Sequence, residues 1–270
     1  MVVVSTLGQP TDNVWYLAYG SNLSSSKFVK DRGIKPLAAV LVGVPGFTLV
    51  MHSAGVPYQE PSYASIRPLS ECATGKEKTV LGTAYLVTPS QYADIIRSEG
   101  GGIAYKETSV RVTPLKALTK LASNNLYEAS NEDPSEARTL VSLMIRLPAP
   151  CPSQRYMNLI VYGAMESRYP SDYQLYLKSI KTYQPATHPR ARFGAELFLC
   201  LWIPIMVMAE RITKLSIAWF GDECGNAPYA IILLVRAIVK AMWWHHDNIH
   251  APIWGRGDGL NTAAIGDSEV

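Results

Sequence analysis

Three places in this 270-residue chain carry residue types whose spacing could do chemistry. The first is Tyr19-Gly20-Ser21-Asn22-Leu23, directly behind the apolar, β-prone run Val14–Ala18. A strand that ends in Gly-Ser-Asn ahead of a helix start turns successive backbone N–H groups toward one point, and such a nest holds a carboxylate. On these residues alone a plain strand-to-helix turn is the simpler reading. The second is Glu99, followed by Gly100-Gly101-Gly102, where backbone without Cβ atoms can come close to a ligand. By itself it reads as a solvated glutamate at a helix end. The third is His245-His246-Asp247 with His250. Histidines four apart can share a helical face and bind a metal. That spacing also arises by chance, and histidines suit the carbonyls at a helix end behind Trp243-Trp244, so no metal is expected. The run GRGDG at Gly255–Gly259 neither follows a strand nor opens a helix, which removes a dinucleotide fingerprint and leaves a closing loop.

The elements that must position these residues can be read along the chain. Val14–Ala18 is a strand, and Ser24-Ser25-Ser26 are candidate N-caps of a short helix after it. Ala38–Val50 is Val/Leu-rich and broken by Gly43 and Pro45-Gly46, which predicts two strand pieces or one bulged strand. Tyr63–Arg67 and Val80–Val87 are further strands. Thr88-Pro89-Ser90-Gln91 is a capping box with proline at the first helical position, so a helix should run to about Ser98 and stop at the three glycines. Tyr105–Val112 and Thr139–Leu147 read as strands around the polar loop Asn124–Glu136. Ser153–Glu166 and Ser171–Tyr183 read as amphipathic helices split at Tyr169-Pro170. After about residue 185 the character changes. Ala195–Ala209 and Tyr229–Trp244 are intensely apolar, and both read as helices packed on the core or on each other. The first spans about 15 residues and contains Glu196 and Pro204, short of the roughly 20 that cross a bilayer. In the second, Arg236 and Lys240 share a face.

In this order, the segments resemble the γ-glutamylcyclotransferase family. YLAYGSNL at 16–23 is similar to that family's signature strand and loop, and YASIRP at 63–68 fits a family strand. VLGTAYLVTPSQYADIIRSEGG at 80–101 fits the strand–helix unit that ends in an acidic residue before glycine. PSQRYMNLIVYGAMES with YQLYLKSI resembles the helices that close the fold. The resemblance covers about residues 14 to 185. It implies an α+β fold, a small mixed β-barrel flanked by helices, here with a C-terminal helical extension. The expected division is 1–185 as catalytic domain and 186–270 as an apolar helical extension on or near the cleft.

The family reaction is intramolecular aminolysis. The α-amine of a γ-glutamyl group attacks its own γ-carbonyl, closes 5-oxoproline and expels the acylated amine. One carboxyl group can take the proton and return it. An anion site for the α-carboxylate folds the substrate for ring closure, and the oxyanion needs donors. Neither a metal nor an organic cofactor is required. The resemblance makes Glu99 the proton shuttle, with Glu107, inside a strand, as its nearest competitor. It makes Tyr19, Gly20, Ser21, Asn22 and Leu23 the substrate-binding loop. Tyr105 matches a family tyrosine after the glutamate, across a segment one residue shorter, and Tyr156 matches the tyrosine before the closing helix. Ser142 stands where the animal-type enzyme has a tyrosine, so substrate preference should differ.

The roughly 85-residue extension, with the ending WHHDNIHAPIWGRGDG, resembles fungal members associated with gliotoxin-type secondary metabolism. This implies a glutathione-derived conjugate as substrate, with the extension lining or widening the cleft. Composition agrees with an enzyme of this kind. The chain is 48% hydrophobic and 17% charged, which excludes a disordered chain, and its net charge of +3 without a basic segment excludes nucleic acid as a partner. Four cysteines without CxxC spacing, and an N-terminus with no basic start, predict a reducing, cytoplasmic setting. A mean hydropathy of +0.04 comes almost entirely from the extension. The alternative expectation is a catalytically silent, cyclotransferase-like scaffold held at a membrane by those helices. Membrane contact is the less favoured of the two, and a homodimer is left open.

Overall fold

The computed structural model describes residues 12–23, 28, 33–71, 77–115 and 134–260. Seven strands form one mixed sheet: β1 Val14–Ala18, β2 Ala38–Val56, β3 Glu60–Pro68, β4 Thr79–Val87, β5 Tyr105–Arg111, β6 Thr113–Pro114 and β7 Glu136–Ser142. Their order is β3-β2-β4-β1-β7-β5, with β6 on β2. Only the β1–β7 pairing is parallel. The sheet curls on itself into a half-barrel. The far end of β2 meets the chain that leaves β7, where Ser53 bridges Ile145 and the Ala54 N–H donates to the Met144 carbonyl at 2.7 Å. The fold is therefore α+β, with helices packed around a small curled barrel.

β2 is one strand of 19 residues, not two. Its register against β4 shifts between Val44 and Thr48, and against β3 between Val50 and Ser53. The first bulge absorbs Pro45, which has no N–H to give to a ladder, and Gly46 at φ +82°. β7 stops at Ser142, earlier than the run to Leu147 predicts, because the chain beyond it turns to reach β2.

Helix α1, Pro89–Ser98, starts as its capping box dictates. The Gln91 N–H donates to Thr88 Oγ1 at 3.3 Å, and the Thr88 N–H donates to Gln91 Oε1 at 3.1 Å. Tyr92, Ala93, Ile95 and Ile96 form its buried stripe. Helices α2, Gln154–Glu166, and α3, Ser171–Ser179, follow, with Ser153 capping α2. α3 ends four residues before the predicted Tyr183, which instead bridges to Ser153. The candidate caps Ser24, Ser25 and Ser26 lie outside the described residues, as does most of the loop Asn124–Glu136.

The extension is longer and more regular than its apolar runs suggest. α4 spans Pro189–Phe220, 32 residues through Pro204, and α5 spans Tyr229–His245. A π-helical turn, His246–His250, and a short α6, Ala251–Trp254, complete it. α4 is thus long and apolar enough to cross a membrane by length and composition, which overturns the length argument made on Ala195–Ala209. In this fold it buries one stripe, Phe198, Trp202, Ala209 and Thr213. With Met242 and Trp243 of α5, Phe198 and Trp202 close on Tyr58 and Met144 as a second core beside the barrel. Phe193, Leu197, Leu201, Met208 and Leu215 face outward.

Candidate active site

The turn behind β1 is a single 3-10 turn, Ser21–Leu23, closed by the Leu23 N–H donating to the Gly20 carbonyl at 3.0 Å. It opens onto a small pocket continuous with solvent. Tyr19, Gly20, Ser21 and Asn22 line one side, Glu99 and Tyr105 another, and Tyr156 stands across from the turn. Leu23 does not line it. This side chain is fully buried in the barrel core and anchors the turn from behind.

Gly20 is needed for space. A Cβ there would lie 3.2 Å from the Tyr156 hydroxyl and 3.4 Å from the Ala64 Cβ. The Tyr156 hydroxyl accepts the Ala64 N–H at 3.1 Å and a backbone hydrogen bond from Ser21. Its lone pairs are thereby occupied and its proton is left for a ligand oxygen. Tyr19 and Tyr105 do the opposite: each donates its proton to a main-chain carbonyl, Tyr19 to Leu140 and Tyr105 to Ala64 at 3.3 Å. Of these three phenols, Tyr156 is set to donate and Tyr19 and Tyr105 have their protons committed.

Asn22 joins the turn to the carboxylate. Its Nδ2 donates to the Tyr16 hydroxyl at 2.9 Å and to Glu99 Oε1 at 3.1 Å. Its Oδ1 is buried and has no hydrogen-bond partner among the described residues. Glu99 caps the C-terminus of α1, with its N–H on the Ile95 carbonyl at 3.0 Å. Burial pushes the phenols of Tyr19, Tyr105 and Tyr156 up, and the Glu99 charge adds to each shift, so all three stay neutral near pH 7. The pocket thus offers one carboxylate, backbone N–H groups and neutral phenols. That set can bind a carboxylate at the turn, move a proton at Glu99 and donate to an oxyanion from Tyr156.

Glu107 lies elsewhere. It accepts the Tyr92 hydroxyl and pairs with Arg138 at 3.8 Å, a structural contact on the outer edge of the sheet. The histidine cluster holds the extension together. His246, Asp247 and Asp258 could approach one cation. Their ligand atoms are already engaged: Arg146 sits 2.6 Å from Asp247, Arg256 binds both carboxylates, and the Gly257 N–H donates to His246 Nε2 at 3.2 Å. His245 Nδ1 accepts Trp202 Nε1–H at 2.9 Å, and His250 Nε2 meets the Gly194 carbonyl at 2.8 Å.

The sequence pattern does not reveal three participants. Tyr16 reaches Asn22 from within β1, whose residues are apolar on both faces, so alternation gives no signal. Ser65 and Ser53 hydrogen-bond Tyr19 and Tyr105 from behind the pocket. Ser142, where an aromatic is missing, links them. Its N–H donates to Ser65 Oγ at 3.0 Å, and its hydroxyl to Ser53 Oγ at 2.9 Å.

Residues 79–177 match the AIG2-like family model, and residues 188–253 match a model described as the AclK C-terminal domain. The chain is 43% identical over 260 residues to the γ-glutamyl cyclotransferase aclK of Aspergillus oryzae, covering 93% of this chain and 92% of that protein. It is 34% identical over 273 residues to the γ-glutamyl cyclotransferase gliK of Aspergillus fumigatus, covering 94% and 93%. A solved γ-glutamyl cyclotransferase aligns with a TM-score of 0.48 at 20% identity, over 66% of this chain and 92% of its own.

Proposed function

This chain belongs to the γ-glutamyl cyclotransferase family, and from that premise we propose that it trims γ-glutamyl groups from glutathione-derived conjugates in fungal secondary metabolism of the gliotoxin type. The activity is cleavage of a γ-glutamyl amide to 5-oxoproline plus the freed amine. The observation that carries the site assignment is the convergence of Glu99, the Gly20–Asn22 turn and Tyr156 on one pocket.

The substrate α-carboxylate sits on the N–H nest, which folds the γ-glutamyl chain so that its amine reaches its own γ-carbonyl. The ammonium loses one proton to solvent. Its nitrogen then bonds to the γ-carbon while the carbonyl electron pair moves onto oxygen, where Tyr156 donates. Glu99 takes the remaining excess proton from the attacking nitrogen. The intermediate collapses, the original amide C–N bond breaks, and the departing nitrogen takes the proton from Glu99. The carboxylate is restored and no proton is left over.

The opening of the pocket to solvent supports a conjugate as substrate, since an acylated amine that projects outward can carry a bulky remainder. Identity to the two fungal cyclotransferases runs through both parts of the chain, which supports the same chemical setting. We divide the chain near residue 185 into a catalytic domain and an extension, a division supported by the separate family match that begins at residue 188. Free Cys151, Cys200 and Cys224 support a cytoplasmic location.

The test is incubation with γ-glutamyl dipeptides and with bulky glutathione S-conjugates, reading 5-oxoproline by mass spectrometry. The expected result is product from both, with higher kcat/KM for the conjugates. No 5-oxoproline from any of them overturns the activity, and turnover of dipeptides alone overturns the substrate class.

A further inference from the structure

Glu99 and Tyr105 sit at the two ends of a five-residue loop whose conformation is costly. Gly100, Gly101 and Gly102 have φ of +88°, +55° and +83° in succession. Glycine reaches that region freely but gives up the most backbone freedom when held there. Within the loop, the Gly101 N–H donates to the Ile96 carbonyl and the Ile103 N–H to the Gly100 carbonyl. The loop's own next carbonyls turn away from the barrel and toward the extension.

Three consecutive carbonyls are taken by the extension. The Ala227 N–H, in the turn between α4 and α5, donates to the Gly101 carbonyl at 2.9 Å. Arg236 of α5 donates from Nη2 to the Gly102 carbonyl at 2.8 Å and from Nε to the Ile103 carbonyl at 2.8 Å. Packing is equally close. A Cβ on Gly101 would lie 2.6 Å from Ile217 Cδ1 and one on Gly102 2.9 Å from Asn226 Oδ1. Ile103 is buried against Ala209 and Val235. The turn is braced in its own right, since the Asn226 N–H and side-chain amide both donate to Asp222 at 2.7 and 3.0 Å. Among the described residues none lining the pocket comes from the extension, and this grip joins the extension to the loop that follows Glu99.

We propose that Arg236 is a positioning residue for the cyclisation: its guanidinium fork, bridging two successive carbonyls of the glycine loop, fixes Glu99 relative to Tyr105 and couples the extension to the proton shuttle. The proposal rests on the assignment of Glu99 above. The planar fork suits this task because its two donors are set by one rigid group, which an ammonium cannot reproduce. The turn at Gly20–Asn22 stands on a different element and meets the clamped loop through the Asn22–Glu99 hydrogen bond, so the main effect of the clamp falls on the shuttle. A misplacement of the shuttle on the order of 1 Å costs about 100-fold in rate.

The experiment compares wild type, Arg236→Ala, Arg236→Lys and Glu99→Gln in the full chain. It reads kcat and KM for a γ-glutamyl dipeptide, hydrogen–deuterium exchange of the peptide spanning 99–104, and thermal melting. The clamp predicts a kcat loss of about 30- to 100-fold in Arg236→Ala with KM within about threefold, and a smaller loss, about tenfold, in Arg236→Lys. Exchange at 99–104 should rise in both while the β1 and β4 peptides keep wild-type protection. If Arg236→Ala does not fold, Arg236→Lys carries the same comparison. Wild-type kcat in a variant, or a kcat loss with unchanged exchange at 99–104, overturns the clamp. Wild type that makes no 5-oxoproline overturns the functional reading instead, and unchanged exchange then overturns the clamp independently.

Discussion

The Asn22 carboxamide nitrogen lies 3.1 Å from Glu99 Oε1, so the turn after β1 directly holds the carboxylate that ends α1. The same nitrogen lies 2.9 Å from the Tyr16 hydroxyl, which orients the amide. Binding loop and proton shuttle are therefore one unit, joined across 77 residues of sequence by a single side chain. The amide oxygen is buried and has no partner among the described residues.

Two substitutions at Asn22 should separate these roles. Asn22→Ala removes the bond to Glu99 and should lower kcat by about 10- to 100-fold, the size of one charge-assisted hydrogen bond of roughly 1.5–3 kcal/mol. Asn22→Asp puts a second carboxylate beside Glu99. Like charges resist joint ionisation, so the acid limb of the kcat/KM profile should move to higher pH. A profile superimposable on wild type would show that the two groups do not interact.

Glu99→Gln keeps the shape and the Asn22 neighbour but cannot accept a proton. It should reduce kcat by about 10²- to 10⁴-fold, the usual worth of a positioned general base, with a melting temperature close to wild type. Full activity would remove Glu99 from the mechanism.

Tyr156→Phe removes the one phenol whose proton is uncommitted. It should lower kcat by about 10²- to 10³-fold, as for loss of one oxyanion donor. It also leaves the Ala64 N–H without its acceptor, so a stability loss of about 1–3 kcal/mol in denaturant titration should accompany it. Tyr19→Phe, whose hydroxyl donates to Leu140, should cost less in rate.

Much of this site can be read from local sequence, because the determinants are local. The capping box at Thr88–Gln91 sets the start of α1, and ten helical residues later its end sets Glu99 against the glycines. β1 begins and ends as its apolar run does. Reading fails where tertiary contact overrides a local signal. At Pro45-Gly46 local sequence leaves two pieces or one bulged strand open, and pairing with β4 selects the bulged strand. The apolar run Ala195–Ala209 marks only part of α4: the exposed Pro204, Glu210 and Arg211 fall on its outward side and the helix continues on its buried stripe. Leu23, the last residue of the YGSNL signature, belongs to the core. Arg236 and Gly102 lie 134 residues apart, and nothing in either segment announces the other.

Acidification should loosen the extension through its buried histidines. Burial lowers the pKa of His250, held against the Gly194 carbonyl, and of His245, with the neighbouring histidines adding to the shift. A histidine with a depressed folded pKa binds its proton more readily when unfolded. Its contribution is therefore complete above the unfolded value of 6.5 and is lost as pH falls below it. Denaturant midpoints should be flat from about pH 8 to 7 and decline toward pH 5. His250→Gln, which keeps a donor for the Gly194 carbonyl, should flatten that slope. An unchanged slope in the variant would assign the decline to other groups.

Trp243 ties the extension to the barrel, and removing it should show how much the barrel depends on that tie. The ring is almost fully buried in the second core, its Nε1–H donates to the Gly55 carbonyl of β2 at 3.0 Å, and the Arg146 guanidinium lies 4.3 Å from its centre. Trp243→Ala opens a cavity at the seam and should cost about 3–5 kcal/mol. For a chain of this size that lowers the melting temperature on the order of 10 °C. Trp243→Phe keeps most of the apolar volume and gives up the hydrogen bond, so about 1–2 kcal/mol should be lost. Because Arg236 reaches the glycine loop from the same helix, kcat should fall with stability in Trp243→Ala and hold in Trp243→Phe. A single melting transition that shifts as a whole would mean that barrel and extension unfold together; two transitions, with only the lower one moved, would mean that the extension detaches first and takes the grip on the Glu99 loop with it.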